Sequence, residues 1–280
     1  MNIKILSDST CDLPQDLLNQ YNITLAPLTV VKNDQAFKDG VDIFPSDIFA
    51  HVAAGGALCS TSACSVGEYA DLFEKYSADY DAIIHISLGS GFSSSYQNAC
   101  VAASDFDNVY CVDSMNLSTG QAFIVLKAVE LAASGMEPKA IVEALNDLVP
   151  KVESSFLVDK LDYLAKGGRC SAVAALGANL LNLKPCIEVR DGKMSMVKKY
   201  RGNYAKCLAS YVKDRLADRQ DIDRDTLFVT QTSVPDDCYR AVMDAVSAHG
   251  HFSTVYETTA GCTVSCHCGP GTLGVLFLKK

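Results

Sequence analysis

Short apolar runs alternate with segments of helical periodicity along the first half of this 280-residue chain. The predicted strands are Ile3–Leu6, Ile23–Val30, Ala82–Ile86 and Val109–Val112. The predicted helices span residues 15–21, 45–53, 66–76, 95–104, 117–134 and 138–148. Such alternation is typical of βαβ units, so we predict a mainly parallel sheet flanked by helices. Turn residues at Asn33–Asp34 and Asp39–Gly40 predict a β-hairpin insert near residues 31–43.

The second half has a different order of elements. Its predicted strands span residues 154–158, 187–189, 194–200, 227–230, 253–257 and 272–278. Its predicted helices span residues 160–167, 173–181, 204–219 and 235–248. An Asp191–Gly192 turn predicts a hairpin and hence mixed strand directions. We therefore predict the α/β class with two α/β domains. Residues 1–150 form the first around a mainly parallel sheet, and residues 151–280 form the second around a mixed sheet with helices.

Composition excludes several classes of protein. Hydrophobic residues make up 49% of the chain and charged residues 20%, which favours a globular protein over a disordered one. The net charge of −9 argues against nucleic acids and anionic membranes as partners. No apolar stretch approaches the length of a membrane span, and the first residues do not form a signal peptide. We expect a cytoplasmic protein.

Twelve cysteines are scattered along the chain, mostly in apolar segments. Without an export signal, this usage indicates reduced thiols packed as small hydrophobic side chains. Cys262, Cys266 and Cys268 surround His267, but their spacing fits zinc sites only loosely. We expect no metal site.

Residues 83–99 carry the clearest functional signal. The apolar run ending at Ile86 leads into a loop rich in Ser and Gly, and a segment compatible with a helix follows from Tyr96. The start of a helix attracts anions through its free N–H groups and its dipole. The loop contains no Lys or Arg, which favours one carboxylate held by neutral donors over a phosphate.

Three further polar clusters lie at predicted element ends, namely Ser7–Thr10, Thr61–Ser65 and Asp113–Ser114. Ligands of open α/β sheets bind outside the carboxyl ends of the strands, so these loops are candidates for one shared site. Each cluster also has a structural interpretation, because Ser, Thr and Asp commonly cap helices and form turns.

A serine hydrolase is the sharpest catalytic alternative. Gly91–Ser95 resembles a nucleophile elbow without its last Gly, and Ser93, Asp113 and His267 follow in the chain order of a hydrolase triad. Asp113 comes very early for such a triad.

Two further motifs have alternative interpretations. Arg169, which follows Gly167–Gly168, is either part of a helix C-cap or a cation aimed at an anion. The segment His267–Gly271 predicts a rigid turn before the last strand. The histidine is then either buried and hydrogen-bonded or placed at the mouth of a site.

Taken together, these motifs resemble the DegV family of bacterial fatty-acid-binding proteins over nearly the whole chain. The matching segments are Asp8–Leu13, Thr61–Ser62 with Ser65, Ser93–Gln97, Asp113–Ser114, Tyr163–Arg169 and His267 with Gly269–Gly271. Two loops differ from the usual family pattern. Ala63–Cys64 stands where the family has Gln-Pro, and Ser94–Ser95 stands where it has Gly-Thr.

The resemblance implies two α/β domains with a long-chain fatty acid bound between them. It implies that Thr61, Ser62, Ser93 and Ser94 hold the carboxylate, and that Arg169 and His267 lie near the entrance. It further implies no cofactor beyond the lipid and no catalytic residue in this chain. Family members of this type present the carboxylate to an ATP-dependent fatty acid kinase, which makes the acyl phosphate. A binder of another small carboxylate stays open as an alternative.

Overall fold

The computed structural model describes residues 1–170 and 183–280. Its strands are β1 Ile3–Asp8, β2 Thr24–Ala26, β3 Thr29–Lys32, β4 Gln35–Lys38, β5 Ser60–Ser62, β6 Ala82–Ser87, β7 Val109–Asp113, β8 Val152–Leu157, β9 Leu183–Arg190, β10 Lys193–Arg201, β11 Ile222–Thr232, β12 Thr254–Thr259 and β13 Thr272–Lys279. Its α-helices are α1 Gln15–Gln20, α2 Pro45–Ala53, α3 Val66–Ser77, α4 Ser95–Ala103, α5 Thr119–Ala133, α6 Pro138–Leu148, α7 Leu161–Gly167, α8 Tyr204–Leu216, α9 Asp236–His249 and α10 Cys262–Cys268.

Four parallel strands form the first sheet in the order β2-β1-β6-β7. Every residue of β6 is buried, as expected for a strand that packs against helices on both faces. Because all four strands run the same way, β1, β6 and β7 end at one edge of the sheet. Their carboxyl ends carry the Asp8, Ser87 and Asp113 loops.

A small antiparallel sheet extends from this edge in the order β4-β3-β5. β3 and β4 form a hairpin about Asn33–Asp34, both of which have positive φ. The prediction of one strand over 23–30 is wrong, because β2 and β3 belong to different sheets. Pro27 lies between them and lacks an N–H group for a ladder, so the chain changes direction there.

Six strands form the second sheet in the order β10-β9-β8-β13-β11-β12. Only the β11–β12 pair of this sheet is parallel, which confirms the predicted mixed directions. The β9–β10 hairpin turns at Asp191 and Gly192, with φ of 50° and 68°, as the Asp-Gly signal predicts. The α/β class is therefore confirmed, with a parallel sheet flanked by helices and a separate mixed sheet.

Alternating side chains of the mixed sheet pack in opposite directions. Leu227, Val229 and Val275 contact the core formed with α8 and α9. Phe228 faces the other way and meets Phe123 of α5 edge-on, with ring centroids 5.0 Å apart. Helix α5 thus fills the space between the two sheets, where its residues 119–125 are all buried.

The sequence does not predict helix α10, and the predicted turn over His267–Gly271 is wrong for His267 and Cys268, which form the end of this helix. Cys, Thr and Val dominate this segment and are weak helix formers. Long-range hydrogen bonds to Asp12 and Asp39 determine its conformation. The predicted helix over 173–181 lies outside the described residues. Within the described part of the chain, no helix is both long and apolar enough to cross a membrane.

Candidate functional site

A cavity of about 270 Å³ lies where the loops of the first sheet meet α7 and α10. Its lining consists of Thr10, Leu28, Thr61, Ser62, Ala63, Leu88, Phe92, Ser93, Ser94, Leu117, Arg169, Met194, Thr263, Val264, His267 and Cys268. All six residues predicted to form the site are therefore brought together. Among the described residues, no Asp or Glu lines this cavity.

The Ser/Gly loop is held in place by a buried carboxylate. Asp8, at the end of β1, accepts a hydrogen bond from the Leu88 backbone N–H at 2.7 Å. Its other oxygen accepts one from the Tyr69 hydroxyl at 2.6 Å. His85 Nε2 lies 3.3 Å from the same oxygen without forming a hydrogen bond. The ends of β1 and β6 are thereby tied together just before the loop begins.

Gly91 allows this loop to approach the second half of the chain. A Cβ atom at residue 91 would lie 2.0 Å from the carbonyl oxygen of Gly192 in the β9–β10 turn. No side chain fits in that space. The hairpin therefore packs directly against the backbone of the loop, and Met194 on β10 reaches the cavity wall.

Ser93 and Ser94 stand at the start of α4. The Ser93 hydroxyl accepts the Ser95 N–H at 3.2 Å and lies 2.9 Å from the Ser95 hydroxyl. Ser94 is the N-cap residue, but its side chain makes no capping bond. Its hydroxyl and the free N–H groups of this helix end are thus available to an anion in the cavity.

Thr61 and Ser62 lie on β5, in register with Val30 and Thr29 of β3. The capping interpretation holds for Ser65, which accepts the Glu68 N–H while Glu68 accepts the Ser65 N–H. Between Ser62 and Ser65, the backbone carbonyl of Cys64 accepts a hydrogen bond from Asn98 Nδ2 of α4 at 2.7 Å. The two hydroxyl-bearing loops are therefore directly connected.

Two buried carboxylates from the first half cap α10 of the second half. Asp39 accepts the N–H groups of Cys262 and Thr263 at 2.8 and 3.0 Å, and the Thr263 hydroxyl at 2.6 Å. Asp12 accepts the Gly261 N–H at 2.8 Å and the Ser118 hydroxyl at 2.5 Å. Acceptors at a helix N-terminus satisfy its free N–H groups and favour the helix dipole, which explains why this weak sequence is helical.

His267 leaves this helix toward the cavity. Its Nε2 lies 2.7 Å from the Thr61 hydroxyl oxygen, across a separation of 206 residues. Its Nδ1 has no partner among the described residues. Burial, and secondarily the positive charge of Arg169, lower the pKa of His267 to about 4. The ring is therefore neutral at neutral pH.

Arg169 follows the C-cap of α7, where Gly168 is left-handed with φ of 70°. Its guanidinium donates to the carbonyl oxygens of Gly167 at 2.8 Å and Phe92 at 3.5 Å. None of the ion pairs in the described part of the chain includes Arg169. The side chain is exposed, so this end of the cavity opens to solvent. The C-cap interpretation and the anion interpretation are therefore compatible.

We call Thr61, Ser93, Arg169 and His267 the head end of the cavity. The rest of the lining is mostly apolar, with Leu28, Leu88 and Leu117 among its members. A second cavity of about 30 Å³ shares Leu117, Val264 and Cys268 with the first and reaches residues of the mixed sheet. The polar end thus leads into an apolar interior between the two sheets.

The geometry does not assemble a hydrolase triad. His267 is bonded to Thr61, and its Nδ1 has no carboxylate partner within the described residues. Asp113 instead accepts the N–H groups of Ser90 and Met115. Ser93 therefore has no positioned general base among the residues that the structure describes.

Thr10, Thr263 and Met194 also line the cavity but were not predicted as site residues. Thr10 belongs to the Ser7–Thr10 cluster, so its position after β1 was a usable signal. Thr263 and Met194 had none, because α10 and the β9–β10 hairpin reach the site only through long-range packing.

The whole chain matches one family model. The model described as "Uncharacterised protein, DegV family" matches residues 2–280. A DegV domain-containing protein of Clostridium acetobutylicum is 32% identical over 280 residues, covering 99% of each chain. Another from Caldanaerobacter subterraneus is 29% identical over 282 residues, also with 99% coverage of both.

Solved structures agree over the same length. A Thermus thermophilus DegV family protein described by its fatty acid binding has a TM-score of 0.91 and 27% identity, with 100% of both chains covered. Bacillus subtilis DegV, described as a fatty acid binding protein, has a TM-score of 0.82 and 27% identity with the same coverage.

Proposed function

This chain belongs to the DegV family, and we propose that it binds one long-chain fatty acid in the cavity between its two sheets. The main observation behind this proposal is a cavity with an apolar interior and a polar open end. That end offers hydroxyls, a helix N-terminus and one cation, but no acidic side chain among the described residues. The Thermus and Bacillus structures support the ligand class.

The apolar interior accounts for affinity. Burying each CH₂ group contributes about 0.8 kcal/mol, so a sixteen-carbon chain contributes about 12 kcal/mol before the costs of association. The head end has a different task, which is to provide hydrogen bonds for a carboxylate that has lost water. Hydrogen bonds to the charged form keep such a group ionised.

Thr61, Ser62, Ser93 and Ser94 supply those hydrogen bonds in this proposal. In the tautomer with a proton on Nε2, neutral His267 donates to the Thr61 oxygen and leaves the Thr61 hydroxyl hydrogen free for the ligand. The N-terminus of α4 adds a favourable dipole beside Ser93 and Ser94. Arg169 supplies a positive charge at the rim.

A fatty acid kinase is the proposed partner. Arg169 is exposed and has no acidic partner among the described residues. It can therefore contact the phosphate groups of ATP bound to a kinase that docks at the open end of the cavity. We assign Arg169 and His267 to this partner step more than to lipid retention. Catalysis then belongs to the kinase, which uses ATP to convert the presented carboxylate into an acyl phosphate, and this chain is a carrier without a cofactor.

The first experiment is mass spectrometry of protein expressed in a bacterial host, before and after organic extraction. About one fatty acid per chain supports the carrier. A protein that is empty and also refuses added fatty acids contradicts it and brings forward another small carboxylate.

The head-group assignment is tested by the double variant Thr61→Ala/Ser93→Ala. Each hydrogen bond to a charged group contributes about 1.5–3 kcal/mol, so palmitate affinity is expected to fall about a hundredfold or more in calorimetric titrations. The matched control is Ser77→Ala/Ser104→Ala, which removes two hydroxyls that bond only to nearby helix carbonyls. Equal affinity of both double variants and the parent would contradict the assignment.

A further inference from the structure

The small cavity of about 30 Å³ that adjoins the proposed lipid site contains one hydroxyl group without a partner. Among the described residues, six with hydroxyl side chains line this cavity: Ser118, Ser154, Ser155, Thr230, Thr232 and Thr272. Five of these hydroxyls form hydrogen bonds with other groups of the protein. The Ser154 hydroxyl has no hydrogen-bond partner within the described part of the chain, although Ser154 is only 2% exposed. A buried hydroxyl without a partner costs free energy, so its presence here needs a reason.

Ser154 faces the space between the two sheets. On β8 it lies opposite Leu276 of β13 and Val189 of β9, and both of these residues also line the small cavity. Residues directly opposite each other on antiparallel strands share one face of a sheet. The next residue, Ser155, bonds on the other face, where its hydroxyl lies 2.9 Å from that of Tyr211 on α8. The hydroxyl without a partner therefore lies on the cavity side of β8.

Helix α5 closes one side of the Ser154 hydroxyl. A Cβ atom at residue 120 would lie 2.3 Å from Ser154 Oγ, so only glycine fits between α5 and β8 at this point. Residue 120 therefore cannot supply a hydrogen-bonding side chain, and the open space beside Ser154 is the small cavity. Its volume of about 30 Å³ exceeds the roughly 10–15 Å³ that a group the size of one water molecule requires. A small polar group thus fits beside Ser154.

The small cavity continues the larger one at a distance from the head end. The two cavities share Leu117, Val264 and Cys268, and no residue of the head end lines the small cavity. An acyl chain whose carboxylate lies at the head end therefore brings carbons remote from that carboxylate toward Ser154. A hydroxyl group on such a carbon both donates and accepts hydrogen bonds, so it can pair with Ser154 in either direction. An unsubstituted acyl chain leaves the Ser154 hydroxyl without a partner.

We propose that the preferred ligand is a long-chain hydroxy fatty acid whose hydroxyl group, remote from the carboxylate, forms a hydrogen bond with Ser154. This inference rests on the proposed fatty acid binding and names a narrower class of ligand for the same cavity. Ser154 is then a specificity-determining residue, because a buried polar group of a site discriminates against ligands that cannot pair with it. The hydrogen bond between the two hydroxyls offsets the cost of removing the hydroxyl of the ligand from water.

The ligand class is tested by calorimetric titration with stearate and with stearates that carry one hydroxyl group at carbon 2, 10 or 12. In the parent, the 10-hydroxy or the 12-hydroxy acid should bind at least as tightly as stearate. In Ser154→Ala, the same acid should lose roughly tenfold in affinity relative to stearate, because its hydroxyl is then buried without a partner. The 2-hydroxy acid is the control ligand, since its hydroxyl stays beside the head end. Its affinity relative to stearate should be the same in both proteins.

The control variant is Ser155→Ala, whose hydroxyl bonds to Tyr211 on the other face of β8 and whose loss should leave these relative affinities unchanged. Ser154→Ala itself should unfold at no lower urea concentration than the parent, because it removes a hydroxyl without a partner in the described part of the chain. Weaker binding of both remote hydroxy acids than of stearate by the parent, or unchanged relative affinities in Ser154→Ala, would overturn this inference and leave the fatty acid carrier intact. Refusal of stearate and of every hydroxy acid by the parent would contradict the proposed function and this inference with it.

Discussion

The molecule holds ionised side chains in two contrasting ways. On the mixed sheet, Arg215 bridges Glu153 and Glu188, and Arg219 makes a bidentate pair with Glu153 at 2.6 and 2.9 Å. We call these four residues the paired cluster. At the head end, Arg169 bonds only to carbonyl oxygens within the described residues, and His267 is uncharged at neutral pH.

This contrast shows that arginines in one molecule have different roles, one in stability and the other in ligand binding. In the paired cluster each charge is compensated by an opposite charge of the same chain, so no uncompensated charge is available to bind a ligand. The side chains of Arg215 and Glu188 are only 14% and 8% exposed, which makes their pairing a matter of stability. At the head end the donors and the cation lack acidic partners among the described residues. That arrangement suits a site whose anion comes from outside.

Breaking the paired cluster should have the largest effect on folding. Arg215→Ala removes the partner that Glu153 and Glu188 share, while Glu153 keeps Arg219 and Glu188 keeps the more exposed Arg190. We expect the free energy of unfolding to fall by about 3–4 kcal/mol, the lower part of the range for a broken buried ion pair. Urea denaturation measures the change. Fatty acid affinity per folded molecule should stay unchanged, because the cluster does not line the cavity. A loss below 1 kcal/mol would show that Arg219, Arg190 and water compensate the two carboxylates without Arg215.

Removing the cap of α10 should have the next largest effect. Asp39→Ala leaves the donors of Ser9, Cys262 and Thr263 without an acceptor, which should destabilise the protein by about 2–4 kcal/mol. Because α10 carries Thr263 and Val264 of the cavity lining, the fatty acid affinity should fall too. Asp39→Asn keeps one acceptor oxygen and serves as the matched variant, with an intermediate loss. Equal stability of Asp39→Ala and the parent would contradict the capping role.

Asp12 provides a pH-dependent test of a smaller magnitude. Burial raises its pKa to about 7, so between about pH 4 and pH 7 the folded protein holds a proton that the unfolded chain has released. Its contribution to stability is therefore present at low pH and lost as the pH rises through about 7. Asp12→Asn keeps both hydrogen-bonding positions without the charge. We expect this variant to gain on the order of 2 kcal/mol over the parent at pH 8 and little at pH 4.

The control for Asp12 is Asp16→Asn on the exposed surface of α1. It should show no such difference between pH 4 and pH 8 in denaturation curves. A larger loss of stability in Asp12→Asn at pH 8 than at pH 4 would contradict this prediction. It would show that the Asp12 carboxylate of the parent is ionised and stabilises the fold.

Arg169→Ala should have the smallest effect on stability. The side chain is exposed and, within the described part of the chain, bonds only to backbone oxygens, so the free energy of unfolding should change by less than about 0.5 kcal/mol. Palmitate affinity should fall only a few-fold, while acyl-phosphate formation with a fatty acid kinase and ATP should be lost. Strong loss of lipid with intact kinase turnover would reverse the assigned roles.

The Arg169→Ala variant also tests how the charge of Arg169 affects the pKa of His267. Removing the positive charge should raise the pKa of His267 from about 4, although burial, the larger cause, should keep it below 6.5. NMR titration of the His267 ring measures this directly. In the parent, this histidine contributes stability that is present above about pH 6.5 and is lost as the pH falls toward 4.

Local signals in the sequence determined most of the elements. The predicted bounds of the helices over 45–53 and 138–148 agree with the structure, and so do the Asp191–Gly192 turn and the Gly168 C-cap. These features depend on residues close together in the chain. For that reason their periodicity, turn chemistry and capping are visible without a fold.

The sequence alone also predicted that six residues form one site, but this prediction came from the resemblance to a family. No local pattern links Thr61 to His267, whose contact spans 206 residues. The position of His267 itself depends on α10, which exists because Asp39 accepts N–H groups more than 220 residues away. Only the tertiary structure could decide these features. The helical conformation of a weak sequence, the lowered pKa of His267 and the lack of an acidic partner for Arg169 among the described residues all arise from groups that folding brings together or keeps apart.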